Sequence, residues 1–191
     1  MKSWGIQPAT VAGHSSGEIA AAFAAGFLSF EAAVAVAYYR GQAAVKLSQS
    51  GQKGAMLALG TSSEEASKLI EESGSGYATV AAINSPQSVT VSGDVSAIES
   101  IHQLATARSI FARRLRVEVA YHSRHMEQVA ESYLESIKPF FNAMDISAGS
   151  PRPIFVSSVT GNVIEEDAVD ASYWVRNLLQ PVRFTDAIRG V

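Results

Sequence analysis

Small apolar residues dominate the first fifty positions, and their spacing predicts a strand, a tight turn and two helices. The β-prone segment 7–13 ends in a glycine, and the alanine-rich run 18–25 favours a helix that Gly26 closes. Ser29 is placed to cap a second helix over about 30–47. The chain therefore begins as the strand, turn and helix of an α/β domain.

From residue 55 the apolar positions fall into shorter segments that alternate between strand and helix. Strands are predicted at 56–59, 77–83, 88–91 and 111–119, and helices at 63–72 and 94–105. This β-α-β-β-α-β order is that of a ferredoxin-like unit. We predict a ferredoxin-like subdomain at 54–119, inserted between the two parts, 1–53 and 120–191, of a hydrolase-like α/β core with a parallel sheet.

In the last part of the chain the first predicted segment is again longer, and it has apolar residues at helical spacing. A helix is predicted over about 124–140, followed by a strand at 154–159 and a short helix near 173–179. These segments supply the second half of the proposed core.

The composition of the chain argues against several classes of function. The chain has 191 residues, is 47% hydrophobic and 17% charged, and carries a net charge of −3, which fits a globular domain and offers no basic surface for nucleic acid. The exception is the cluster Arg113, Arg114 and Arg116, which we interpret as a solvated strand edge. The absence of cysteine excludes disulfides and thiol catalysis. Without a membrane-length apolar run or a signal peptide, we expect a cytoplasmic protein with no membrane partner.

The segment Gly13-His14-Ser15-Ser16-Gly17 fits the pattern G-x-S-x-G, in which a serine lies on a tight turn between a strand and a helix. We expect both glycines to be required because side chains there would clash. The N–H groups at the start of the helix point at the same place, so the Ser16 N–H is the expected oxyanion donor. Ser15 is therefore a candidate nucleophile.

A serine nucleophile needs a base, and the chain has four histidines. His14 adjoins the serine and points elsewhere, and His102 lies in a predicted insert helix. His122 and His125 both follow the strand predicted at 111–119, which is a usual place for catalytic side chains. Their H-x-x-H spacing has no accompanying third ligand cluster, so we predict no metal site.

Motifs in a fixed order extend over the chain: Gly13-His14-Ser15-Ser16-Gly17-Glu18, Tyr39-Arg40-Gly41-Gln42, Ile83-Asn84-Ser85-Pro86 with Val89-Thr90-Val91-Ser92-Gly93, Val119-Ala120-Tyr121-His122-Ser123, and Tyr173-Trp174-Val175-Arg176-Asn177-Leu178 with Pro181-Val182-Arg183-Phe184. Through them essentially the whole chain resembles the malonyl-CoA:acyl-carrier-protein transacylase-like acyltransferase domains, in particular those of fungal highly reducing polyketide synthases. Such domains extend further at both ends, so we expect this chain to be truncated relative to them.

The resemblance implies a role for individual residues. Ser15 would accept the acyl group, His122 rather than His125 would be the general base, and Arg40 would bind the free carboxylate of a malonyl-type substrate. A guanidinium suits that task because it is permanently charged and binds a carboxylate through two hydrogen bonds. With no acidic third member evident, a backbone carbonyl can orient the histidine of such a pair.

The resemblance also implies the reaction and its partners. The acyltransferase would load a malonyl extender unit from coenzyme A onto an acyl carrier protein in polyketide or fatty-acid biosynthesis, with malonyl-CoA as substrate and no bound cofactor. Its partners would be the phosphopantetheine-bearing carrier protein and any neighbouring synthase domains.

The segment 119–122 bears on the choice of extender unit. It matches neither the His-Ala-Phe-His nor the Tyr-Ala-Ser-His pattern that bacterial modular members use for malonyl and methylmalonyl groups, and it resembles the fungal variant. The bulk of Tyr121 favours malonyl because it leaves less room for an α-methyl group.

Two alternatives stay open at the level of sequence. A serine hydrolase of the α/β type would share G-x-S-x-G, but it would have an acidic residue between nucleophile and histidine, no role for Arg40 and no ferredoxin-like insert. A catalytically silent synthase fragment would keep the motifs without ever being acylated at Ser15.

Overall fold

The computed structural model describes residues 4–5, 7–142 and 152–190. The helices of this part of the chain are α1 (Gly17–Ala25), α2 (Phe30–Gln49), α3 (Ser63–Ser73), α4 (Val95–Ala107), α5 (Glu127–Asn142), α6 (Ala171–Leu179) and α7 (Phe184–Arg189). The strands are β1 (Thr10–Ala12), β2 (Gly54–Leu59), β3 (Ala78–Ser85), β4 (Ser88–Asp94), β5 (Ala112–Arg114) and β6 (Ile154–Val156). Each element predicted from the sequence is therefore present, although not always at its predicted length.

The larger core is built on a parallel pair of strands. β1 and β6 run in register from Thr10 opposite Ile154 to Ala12 opposite Val156. Helices α1, α2, α5 and α6 pack around this pair and bury one continuous cluster of apolar side chains, among them Trp174. The strand predicted at 154–159 ends early because Ser157 begins a turn, closed by the Gly161 N–H at 2.8 Å from the Ser157 carbonyl.

The second sheet is antiparallel, with strand order β3-β4-β2-β5. Helices α3 and α4 cover one face and enclose a separate apolar core that includes Leu57, Leu69 and Ile101. The strand order and the β-α-β-β-α-β connectivity are those of a ferredoxin-like unit. The predicted fold class is thus confirmed, whereas the exact division at residues 53/54 and 119/120 stays a prediction.

Strand β5 is much shorter than the predicted strand at 111–119. It pairs with β2 only from Ala112 to Arg114. Beyond it the chain bends and keeps two separate backbone contacts with β2: the Leu115 N–H donates to the Met56 carbonyl and the Gly54 N–H donates to the Glu118 carbonyl. The apolar residues keep their strand-like spacing up to residue 119, but the regular pairing with β2 stops at Arg114.

The helix ends follow the local signals in the sequence. The Ser29 hydroxyl accepts a hydrogen bond from the Ala32 N–H at 3.1 Å, which caps α2. Gly26 takes a left-handed φ of 77° and closes α1. No helix within the described ranges is both long and apolar enough to span a membrane.

Candidate active site

Ser15 lies in the turn between β1 and α1 and has a left-handed φ of 54°. The Gly17 and Glu18 N–H groups close the turn on the carbonyls of His14 and Ser15, at 2.9 and 3.1 Å. A non-glycine residue in this conformation is uncommon and marks a position that its surroundings hold in place. The turn presents Ser15 to a cleft, with the Ser16 N–H beside it at the start of α1.

The two glycines of G-x-S-x-G have different roles. A Cβ atom on Gly13 would lie 2.3 Å from the backbone nitrogen of Glu18, so no side chain fits there. A Cβ atom on Gly17 would have no heavy atom within 4 Å. The expectation of a steric requirement is thus right for Gly13 and wrong for Gly17, where a Cβ atom would lie in open space.

Replacing Gly13 by alanine should therefore distort the turn that presents Ser15. We expect the free energy of unfolding to fall by about 2–3 kcal/mol, as for overpacking against a rigid backbone, with a large loss of serine reactivity. The matched variant Gly17→Ala should change stability by no more than about 0.5 kcal/mol. Urea unfolding measures both effects, and equal losses in the two variants would contradict the assignment.

A hydrogen bond connects Ser15 and His122 across 107 positions of sequence. The Ser15 Oγ lies 2.7 Å from the His122 Nε2, and the His122 Nδ1 lies 2.9 Å from the Gln180 carbonyl oxygen. A carbonyl can only accept, so Nδ1 carries the proton and Nε2 presents its lone pair to the serine hydroxyl. Burial, together with the charge of Arg40, lowers the pKa of His122 to about 3. The imidazole is therefore neutral at physiological pH, as a base must be.

The Gln180 carbonyl is itself held from two sides. The Gln180 N–H donates to the Arg176 carbonyl at the end of α6, at 2.8 Å. Two residues further on, the backbone of Val182 exchanges hydrogen bonds of 2.8 and 2.9 Å with strand β3. His122, which also has a left-handed φ of 55°, is thus oriented by a carbonyl fixed between the large core and the antiparallel sheet.

Arg40, on helix α2, extends its side chain to Ser15. Its side chain is buried, one Nη atom donates to the Ser15 Oγ at 3.1 Å, and the other donates to the Asn177 Oδ1 at 2.7 Å. Burial lowers the pKa of Arg40, and the nearby groups Tyr133, Tyr121 and Glu18 oppose this shift. A permanent cation thus lies directly beside the serine hydroxyl.

Behind Arg40 lies a buried carboxylate that the sequence reasoning did not single out. Glu18 accepts hydrogen bonds from the Asn177 Nδ2 at 2.5 Å, the Tyr173 hydroxyl at 2.7 Å and the Ser158 N–H at 2.6 Å. Burial raises the pKa of Glu18 although these hydrogen bonds oppose the shift. The available signal was a polar residue, Asn177, on the apolar face of α6.

The other three histidines have different hydrogen-bond partners or positions, although His14 also lines the cleft in front of Ser15. His14 contacts Asn84 at 2.7 Å and His102 lies on α4, away from Ser15. His125, which the sequence left open beside His122, is buried and pairs with Asp94 at 2.7 Å. In the ranges that the structure describes, no group of three or more His, Cys, Asp or Glu side chains could hold a metal ion.

The cleft in front of Ser15 has a volume of about 430 Å³. The turn, α2 and the His122 loop form one wall, and the open face of the antiparallel sheet forms the other through Met56, Ala82 and Thr90. Tyr121 also lines the cleft, next to His122. The cleft thus brings together a serine hydroxyl, an oriented neutral imidazole and a buried guanidinium.

Comparison with known proteins supports this picture. A family model described as "Acyl transferase domain" matches residues 1–191. The chain is 60% identical to the "Highly reducing polyketide synthase ACRTS2" of Alternaria alternata and 62% identical to the "Highly reducing polyketide synthase Preu5" of Preussia isomera, in both cases over its full length. It spans 8% of the length of each of these relatives.

The fold recurs in solved structures. The acyltransferase domain from module 8 of the salinomycin polyketide synthase superposes with a TM-score of 0.85 at 34% identity, over 98% of this chain and 42% of that one. The likeness therefore includes both sheets and the cleft between them.

Proposed function

Because the chain belongs to the acyl transferase domain family, we propose that it transfers a malonyl group from coenzyme A to an acyl carrier protein through an acyl-serine at Ser15. The observation that carries this proposal is the convergence of Arg40 and His122 on one serine hydroxyl, at 3.1 and 2.7 Å. A hydrolase would need the base and the nucleophile but not the buried cation. A cation at the end of the cleft is suited to a substrate whose far end is an anion.

In the first half-reaction, His122 Nε2 takes the Ser15 proton as the oxygen attacks the thioester carbonyl. The Ser16 N–H stabilises the negative charge on the carbonyl oxygen. The C–S bond then breaks, and the thiolate of coenzyme A leaves with the proton from His122. In the second half-reaction the phosphopantetheine thiol gives its proton to His122 and attacks the acyl-serine, and the Ser15 oxygen leaves with that proton.

Arg40 would distinguish diacid from simple acyl groups by binding the malonyl carboxylate. Its guanidinium has five N–H donors, and the two hydrogen bonds described above leave others for the ligand. Tyr121 lines the same cleft and would limit the room beside the α-carbon, which favours malonyl over methylmalonyl. One methyl group gives only about 10–200-fold discrimination, so the carboxylate is the stronger determinant.

The carrier protein and the neighbouring synthase domains are the proposed partners, since the matched relatives are much longer polyketide synthases. The expected cytoplasmic location stays a prediction.

The test is the intact mass of the chain after incubation with malonyl-CoA. We expect one malonyl adduct, located at Ser15 by peptide mapping and absent from Ser15→Ala. Methylmalonyl-CoA and acetyl-CoA should react more slowly. A chain that circular dichroism shows to be folded, but that forms no adduct, would contradict the proposed function.

A further inference from the structure

Asn177 connects the two buried charges of the site. It is 2% exposed and lies on α6, where its amide stands between the Arg40 guanidinium and the Glu18 carboxylate. Its partners are 137 and 159 positions away in sequence. The amide therefore joins α6, α1 and α2 at the point where all three approach Ser15.

The orientation of this amide follows from the chemistry of its neighbours. Arginine has no acceptor, so the group that faces Arg40 must be the Asn177 oxygen, at 2.7 Å. The Asn177 nitrogen must then face Glu18, at 2.5 Å, and Glu18 must accept. A second hydrogen of the same nitrogen points to the Ser15 carbonyl at 3.3 Å. Only one orientation of the Asn177 amide therefore satisfies the hydrogen bonds of both its oxygen and its nitrogen.

Glu18 is equally constrained on its far side. The Ser158 N–H and the Tyr173 hydroxyl both donate to its Oε1, and the Ser157 hydroxyl lies 2.7 Å from the Tyr173 oxygen. Glu18 is thus held in place by backbone and side chain alike. Through Asn177 the same constraint extends to one Nη atom of Arg40, which fixes the plane of the guanidinium before any ligand binds.

We propose that Asn177 is a positioning residue that, anchored on Glu18, orients Arg40 for the carboxylate of the substrate. This inference rests on the proposed function and deepens it. Without the amide, Arg40 would keep its charge but would lose its fixed direction. Recognition of the malonyl carboxylate would weaken, whereas the reactivity of Ser15 towards an uncharged reagent would persist.

Two variants test this role by different routes. Asn177→Ala removes the connection. Glu18→Gln keeps its bulk, but the Ser158 N–H still requires the glutamine oxygen as its acceptor, so the glutamine nitrogen would face the Asn177 nitrogen. The Asn177 amide can then no longer satisfy Gln and Arg40 together. In both variants we expect KM for malonyl-CoA to rise about tenfold or more, the effect of losing a hydrogen bond to a charged group, with a smaller change in kcat.

The uncharged reference is labelling of Ser15 by a neutral fluorophosphonate, which needs the serine and histidine but carries no carboxylate. We expect its rate to stay within about threefold of wild type in both variants. The matched control is Ser172→Ala on the same helix α6, which loses its hydrogen bonds with Asp170 and Arg176 but touches neither Glu18, Asn177 nor Arg40. Ser172→Ala should leave the ratio of malonylation to labelling unchanged.

The results distinguish a failure of the positioning role from a failure of the proposed function. Equal losses of malonylation and labelling in Asn177→Ala and Glu18→Gln, or no loss in either rate, would overturn the positioning role. A wild-type chain that is labelled by the fluorophosphonate but takes no malonyl group would overturn the proposed function and this inference with it.

Discussion

Replacing His122 by alanine should slow malonylation of Ser15 by about 10⁴-fold, the scale of loss when a serine nucleophile is deprived of its base. The serine hydroxyl is a weak nucleophile by itself, and His122 is the histidine that contacts it, at 2.7 Å. Its neutral form is present at pH 7 because burial and Arg40 lower its pKa to about 3. Single-turnover acylation followed by intact mass measures the loss.

His125 provides the matched control for this experiment. It lies three residues further along the same loop and is also buried, but its ring contacts Asp94 and not Ser15. His125→Ala should lower the melting temperature because Asp94 loses one of its hydrogen-bond partners, while acylation stays within about tenfold of wild type. If His125→Ala abolished acylation and His122→Ala did not, the assignment of the base would be wrong.

The sequence predicted the helices well because their signals are local. Ser29 begins α2 through a hydrogen bond within four residues, and Gly26 ends α1 by its left-handed φ. Strand length depends instead on a distant partner. β5 ends at Arg114, where its ladder with β2 ends, and nothing in the apolar spacing of 111–119 shows that the chain leaves the ladder there.

In the candidate site, too, the local features could be predicted and the long-range contacts could not. The turn around Ser15 was predictable because one short motif contains both the steric requirement at Gly13 and the start of the helix. Spacing alone could not choose between His122 and His125, since both follow the same predicted strand; the resemblance to a family made that choice. The geometry places only His122 against Ser15, and it turns His125 towards Asp94.

The connection through Asn177 could not be predicted from the sequence. Glu18 at the start of α1 is typical of an acidic residue that stabilises a helix N-terminus, and Asn177 is one polar residue on the apolar face of an amphipathic helix. Their meaning depends on burial and on contacts more than 130 positions apart, which only the folded chain supplies.

Arg40→Ala should reverse the preference of the site between diacid and simple acyl groups. The substrate carboxylate would enter a buried position with no cation to pair with it, and removing one partner of such a pair typically costs about 3–5 kcal/mol. We therefore expect kcat/KM for malonyl-CoA to fall by about 10²–10⁴-fold. Acetyl-CoA has no carboxylate to lose, so its acylation rate should fall much less.

Two further variants distinguish charge from geometry in this result. Arg40→Lys keeps the charge but lacks the planar fork that reaches both Ser15 and Asn177, so its loss for malonyl-CoA should lie between those of wild type and Arg40→Ala. Arg113→Ala removes an exposed arginine on β5 and should leave both substrates unaffected. If Arg40→Ala lowered acylation by malonyl-CoA and acetyl-CoA equally, Arg40 would act on the serine and its histidine rather than on the substrate. The buried cation would then explain the reactivity of Ser15 but not the choice of acyl group.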